Sequence, residues 1–157
     1  MVHPESTHAV SRILTAALVV LATLATTVSI SGFFLFPDKT DLWARYLEGA
    51  AWLAGTPLYQ PVPSVNMFPP SVTMLVFAPM ARGPFWLAQA ICVALNVVAL
   101  AASVRAIARE LALPERQLVV MSAVLLSLHG MYQSWMLGQF TGILLFLVTR
   151  SWIAYRG

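Results

Sequence analysis

Charge is scarce in this sequence: Asp, Glu, Lys and Arg make up 10% of its 157 residues, against roughly a quarter in an ordinary soluble domain. A single cysteine, Cys92, excludes an internal disulfide and any cysteine-built metal site. There is no Walker loop, no GxGxxG, no HExxH and no cluster of metal ligands, so the common nucleotide-binding and zinc-hydrolase signatures are excluded. Nor is there a basic run with interleaved aromatics. The net charge of +3 therefore does not point to nucleic acid. No internal repeat or low-complexity linker divides the chain.

What the sequence has in place of charge is apolar length. It is 59% hydrophobic, with a mean hydropathy of +0.79, and its basic residues sit between apolar stretches where they act as orientation signals. The composition predicts an all-α membrane protein with one membrane domain over 13–157, behind a cytoplasmic tail at 1–12. Ile13 to Phe36 carries no charge and is long enough to cross a bilayer core. It outruns the hydrophobic part of a signal peptide, so it reads as a retained first span, 13–36. Further spans are expected at 85–108, 117–137 and 139–155. The last requires Arg150 to snorkel towards an interface marked by Trp152 and Tyr155.

Pro69 to Ala81 is apolar, short and broken by Pro69, Pro70 and Pro79, a pattern of re-entrant or interfacial segments. Charge arbitrates. If it does not span, Arg12, Arg105, Arg109, Arg116, Arg150 and Arg156 share the N-terminal side, with Lys39, Arg45 and Arg82 opposite. If it spans, only Arg12 and Arg82 stay with the N-terminus. The positive-inside rule favours four spans, with both termini in the cytoplasm and an outer loop at 37–84.

That loop carries most of the chemistry. Asp41, Arg45 and Glu48 fall on one helical stripe, with Trp43, Tyr46, Leu47, Ala50 and Leu53 on the remaining face. Gly55 and Pro57 end the pattern, which predicts an amphipathic helix on the outer membrane surface. Asp41 stands where the chain leaves the membrane and could serve as a general base. An Asp at a helix start is also an ordinary N-cap, and spacing by itself favours that reading. Gln139, in the Leu137-Gly138-Gln139 turn, could hydrogen-bond a sugar or phosphate. Spacing alone favours instead a helix-end residue that satisfies backbone, beside a Gly138/Gly142 packing pair. Gln89, Asn96 and His129 read as polar bridges between helices.

These residues resemble a known family. Asp41-Leu42-Trp43-Ala44-Arg45-Tyr46, then Leu53-Ala54-Gly55-Thr56-Pro57-Leu58-Tyr59, looks like the first outer loop of glycosyltransferase family 87, the polyprenol-phosphate-mannose-dependent mannosyltransferases of bacteria. Phe68-Pro69-Pro70, Pro79, Trp86 and Asn96 follow in the family's order, and Leu137-Gly138-Gln139 matches its Leu-Gly-Gln. Thr141 departs from the pattern, which usually has Asn there. The resemblance implies a helical membrane transferase in which Asp41 is catalytic and Arg45, Tyr46, Tyr59, Arg82 and Gln139 bind substrate. No metal and no cofactor is expected; the donor is a polyprenyl-phosphate sugar and the surroundings are membrane lipid. Family members are longer, so this chain is expected to be a front part, with little or no activity alone and with a second chain supplying the missing spans. The competing expectations are a four-span scaffold without catalysis and a transporter component with His129, Asn96 and Gln139 along its path.

Overall fold

A computed structural model describes residues 4–56, 74–127 and 129–156, with backbone only at 4–11, 74, 129, 130 and 132. Among the described residues the chain is helical, without strands. Helix α1 spans Pro4–Leu35, α2 Asp41–Leu53, α3 Met74–Met80, α4 Phe85–Glu110, α5 Glu115–Ser127, α6 His129–Leu137 and α7 Thr141–Arg156. A single 3₁₀ turn, Pro37–Lys39, joins α1 to α2.

Among the described residues two helical stretches are long and apolar enough to cross a bilayer, Arg12–Leu35 and Phe85–Glu110. Their surfaces agree with that reading. Ile13, Leu14, Val20, Leu21, Leu24 and Val28 of α1 lie exposed, as do Val97 and Val98 of α4 and Leu144, Leu147 and Val148 of α7. An apolar surface of this extent is stable against lipid and aggregates in water. The chain is a membrane protein. Helix α1 continues to Pro4, through most of what the sequence suggested was a tail, because no breaker follows Pro4 and proline is tolerated in a first turn.

Helix α1 lies along α5 and α6, and α4 lies along α7. Between apolar helices in lipid, association rests on close packing and interhelical hydrogen bonds rather than on water exclusion. Gly142 of α7 is an instance: a Cβ there would stand 2.6 Å from the Asn96 carbonyl oxygen of α4. The buried Ser29 and Ser103 satisfy themselves within their helices, donating to the Ala25 and Ala99 carbonyls.

The ends of the helices sort into two groups. The end of α1, all of α2, the start of α4 and the α6–α7 turn meet: Gln89 Nε2 donates to the Phe33 carbonyl at 2.7 Å, and Leu42 and Phe33 both abut Gly138. At the other end, Arg12 of α1 shares a cleft with Arg116 of α5, and Arg156 of α7 faces Glu110 of α4 at 3.9 Å.

Helix α2 differs from the surface helix that its charge stripe predicts. Its buried residues are Leu42, Glu48 and Gly49, so one of the three charges is inside. Gly49 is the cause: a Cβ there would lie 2.7 Å from the Phe77 carbonyl oxygen, so α3 packs directly on the helix and covers its neighbour Glu48. Arg45 compensates, holding Glu48 Oε2 at 2.8 Å. Trp52 and Leu53 at the end of α2 stay exposed, as residues resting on a bilayer surface would. Of the Pro69–Ala81 segment, 69–73 lie outside the described residues. The described helix α3 has seven residues with Pro79 inside it, about 10 Å of helix and far short of a bilayer core.

Candidate active site

The chain leaves α1 through Phe36 and the Pro37–Lys39 turn, and then Thr40 starts α2. Thr40 is the N-cap: its hydroxyl oxygen accepts from the Trp43 N–H at 3.1 Å and donates to the Pro37 carbonyl at 2.7 Å. Spacing favoured Asp41 for that duty, and the structure corrects it. With the orphan N–H already satisfied by threonine, Asp41 is the first helical residue and its carboxylate is left for other work. The sequence carried the signal, because Thr is itself a preferred N-cap.

The Asp41 carboxylate turns to a partner 98 residues away. Gln139 Nε2 donates to Asp41 Oδ2 at 2.8 Å, and both side chains are exposed. Oδ1 has no partner among the described residues. Two positions singled out separately from sequence therefore share one site at one end of the bundle. The amide of glutamine carries no charge, so it orients the carboxylate without neutralising it. An acceptor oxygen with an exposed approach is what a general base requires.

Gln139 is held by a turn with little freedom. Helix α6 ends with Gly138 at φ +71, the Gly138 N–H donating to the Trp135 carbonyl and the Gln139 N–H to that of Ser134. That pair of bonds is the Schellman arrangement, which places a left-handed residue just past the helix. Any Cβ at Gly138 would also run into the Phe33 ring. Across the turn the hydroxyls of Ser134 and Thr141 are 2.7 Å apart, so the residue that departs from the family pattern closes the turn here.

Asn96 of α4 secures the turn from the opposite side. Its Nδ2 donates to the Gln139 carbonyl at 3.0 Å and to the Cys92 carbonyl at 3.0 Å, and its Oδ1 accepts from the Gly142 N–H at 2.8 Å. The last bond satisfies one of the orphan donors at the start of α7, a capping function performed from another helix. Buried polar groups are stable in lipid when they are paired in this way. The reading of Asn96 and Gln89 as interhelical bridges holds. Every donor of the Asn96 amide is engaged, leaving none for a passing solute, which counts against the transporter expectation.

The remaining site residues fall in different places. The Tyr46 hydroxyl donates to the Gly83 carbonyl at 2.7 Å, and its ring stacks on Trp43 and meets Phe85 edge-on, so it pins α2 to the turn before α4. Arg45 is committed to Glu48, whose side chain is only 1% exposed. Arg82, next to Gly83, is exposed and has no partner among the described residues. Its backbone is thus tied through Tyr46 to α2, five residues along from Asp41. Tyr59 lies outside the described residues, and so does the side chain of His129. Trp43, half-buried between Tyr46 and Phe85, is an aromatic surface near the site that sequence reasoning assigned only to packing. The described residues contain no group of acids, histidines or cysteine able to hold a metal.

Comparison with known proteins adds the family. No curated protein and no solved structure matches the chain. The model of glycosyltransferase family 87 matches residues 66–157, more than half of it. The matched part contains Arg82, Asn96 and the Leu137-Gly138-Gln139 turn, whereas Asp41, Arg45, Tyr46 and Tyr59 precede it. With the match running through the turn that presents Gln139 and the helix that clamps it, this chain belongs to glycosyltransferase family 87.

Proposed function

We infer that this chain transfers a hexose, mannose in the first instance, from a polyprenyl-phosphate sugar to a hydroxyl acceptor at the outer face of a bacterial inner membrane. The observation that carries the reading is the Asp41–Gln139 hydrogen bond. It joins a carboxylate on the proposed outer loop to the family-matched turn, and Arg82, next to the Gly83 carbonyl that holds Tyr46 of the same helix, has no partner among the described residues.

Asp41 acts as general base. Its carboxylate takes the proton of the acceptor hydroxyl while that oxygen forms a bond to the anomeric carbon. The bond from that carbon to the phosphate oxygen breaks, polyprenyl phosphate leaves with the electron pair, and the configuration inverts. Gln139 fixes the carboxylate so that Oδ1 faces the acceptor. Arg82 meets the phosphate, where a guanidinium can stabilise the charge that develops on departure. The family identity supports glycosyl transfer, and a site at the mouth of a membrane bundle is compatible with a lipid-linked donor.

Four passes with both ends of the described chain on the inner side suit this chemistry. The alternation of helix ends supports them, with α5 and α6 together making the third pass. So does the collection of six arginines at the end away from Asp41. Single cysteines replacing Asp38, Gln139 and Arg109 in a Cys92→Ser background test the orientation. In intact cells an impermeant thiol reagent should label the first two and spare the third. The reverse pattern at Gln139 and Arg109 would divide the site across the membrane and end the proposal.

The activity test uses membranes of the native host, where any partner chain is present, and follows release of polyprenyl phosphate from a radiolabelled polyprenyl-phosphate mannose. Asp41→Asn should slow release by roughly 100-fold or more, the usual worth of a general base. Unchanged turnover would exclude the mechanism and favour the scaffold reading.

A further inference from the structure

Helices α1, α4, α5 and α6 line a cavity of about 390 Å³ to which none of the candidate active-site residues contributes. Its walls are mostly hydrocarbon, with Leu100 and Val104 from α4 and Leu118 and Leu125 from α5. Two polar atoms interrupt them. Trp135 of α6 is only 5% exposed, and its Nε1–H, which can donate but not accept, has no partner among the described residues. The Thr26 hydroxyl of α1 is buried and likewise without a partner among them. Its neighbours behave otherwise, Thr23 donating to the Val19 carbonyl and Ser29 to that of Ala25. Ser122, also on the lining, donates to the Leu118 carbonyl at 2.8 Å.

A donor left unpaired away from water is costly, and more so in lipid. Both such donors line one cavity, whose volume falls in the range of roughly 300–1,000 Å³ that holds small organic molecules. Their chemistry restricts the ligand. A carbonyl oxygen has two lone pairs and can accept from both. A carboxylate could also accept, but a charge at this depth needs a cation beside it. Arg105, the cation on the lining, is exposed near the end of α4 and can carry its guanidinium to the bilayer surface. The ester carbonyls of a phospholipid stay at the headgroup boundary, whereas Thr26 lies near the middle of the Arg12–Leu35 stretch. A water molecule would serve the donors and leave most of an apolar volume unfilled. A neutral molecule with a carbonyl set in a hydrocarbon frame meets walls and donors together.

We propose that this cavity is a binding site for a neutral, lipid-soluble carbonyl compound. The Trp135 Nε1–H and the Thr26 hydroxyl donate to its carbonyl oxygen, and its hydrocarbon frame packs against Leu100, Val104, Leu118 and Leu125. The site is independent of the Asp41–Gln139 chemistry.

The test uses two probes of nearly equal shape, α-tetralone, a bicyclic ketone, and tetralin, the same frame without the oxygen. Equilibrium dialysis of the full chain in nanodiscs, corrected by empty nanodiscs, should give saturable binding of α-tetralone roughly tenfold tighter than that of tetralin. Thr26→Val and Trp135→Phe should each lower that preference by roughly threefold, and the two together should abolish it. With the tryptophans labelled with ¹⁵N, the chain's five indole N–H signals report the site, that of Trp135 being the one lost in Trp135→Phe. α-Tetralone should move this signal downfield, as a new hydrogen bond does, and tetralin should not. Leu100→Trp, which fills the cavity with both donors in place, should abolish binding of either probe; Ala101→Phe on the same lining serves if the first variant does not fold. Equal affinity for the two probes would show an apolar cavity with no part for the donors and overturn the assignment. So would non-saturable uptake, an unmoved Trp135 signal, or unchanged binding in the filled variant. A Trp135 N–H that exchanges magnetisation with water, undisturbed by saturating α-tetralone, would show a hydration site only and overturn it as well.

Discussion

At the end of the bundle where α1 finishes, side chains donate to and accept from backbone groups of other helices; where α1 begins, the arginines are exposed and the Arg156–Glu110 pair is long. The first end holds Gln89 on the Phe33 carbonyl, Tyr46 on Gly83, Asn96 on Gln139 and Gly142, and Gln139 on Asp41. The second holds Arg156 opposite Glu110 at 3.9 Å and open clefts lined by arginine. Each bond at the first end holds one group against another in a fixed direction, as a reacting group needs. Charges at the second end need only lie on the correct side of the bilayer. The contrast teaches that polar residues in this protein are used directionally where chemistry is expected, and as bulk charge where orientation is at stake.

The largest test of that contrast is Asp41→Asn. It should cost roughly 100- to 10,000-fold in donor turnover, with thermal unfolding in detergent nearly unchanged because Thr40 does the capping. A comparable loss from Arg109→Gln would erase the distinction between the two ends.

Asn96→Ala comes next. It strands the Gly142 N–H and the Gln139 carbonyl in a buried setting, and should destabilise the chain by about 1–3 kcal/mol. Reversible unfolding followed by circular dichroism reads this directly. A change near zero would mean that the turn holds itself without α4.

Gly138→Ala sharpens the same point, adding a Cβ at φ +71 against the Phe33 ring. The expected cost is about 1–3 kcal/mol, together with weakened turnover as Gln139 shifts from Asp41. Loss of stability with normal turnover would separate the turn from the chemistry.

The smallest effect is expected at the charged end. Ala112 occupies a left-handed position at φ 47 in a Schellman turn after α4, its N–H bonded to the Arg109 carbonyl and that of Leu113 to Ala108. Ala112→Gly should relieve that strain and raise stability by about 0.5–1 kcal/mol, visible as a higher unfolding temperature. A decrease would mean that the turn is held by contacts rather than by its own backbone preference.

Much of this was legible along the chain, because apolar length and the placement of arginine are local properties. The charge-free runs 13–36 and 85–104 coincide with most of Arg12–Leu35 and Phe85–Glu110, and Gly55 ends α2 as its position predicts. Asn96 and Gln89 in an apolar run announce interhelical bonds, since lipid offers them no other partner. Glu48 was not legible. Helical periodicity places it on a charged face, but periodicity does not know that a glycine next to it lets α3 approach close enough to cover that face. The cap of α2 was misplaced for a nearer reason: two consecutive residues, Thr40 and Asp41, are both good caps, and only the backbone decides between them.

The sequence by itself determined that this chain lives in lipid, that most of its basic residues flank the same helix ends, and that the candidate site residues concentrate in the segment after α1 and in one glycine turn. These follow from transfer free energies, which are summed residue by residue. The tertiary structure alone decided that Asp41 meets Gln139, that Arg45 serves Glu48, and that Tyr46 spends its hydroxyl on a backbone carbonyl. A hydrogen bond across 98 residues depends on how α1, α4 and α6 pack, and packing is a property of all the helices together.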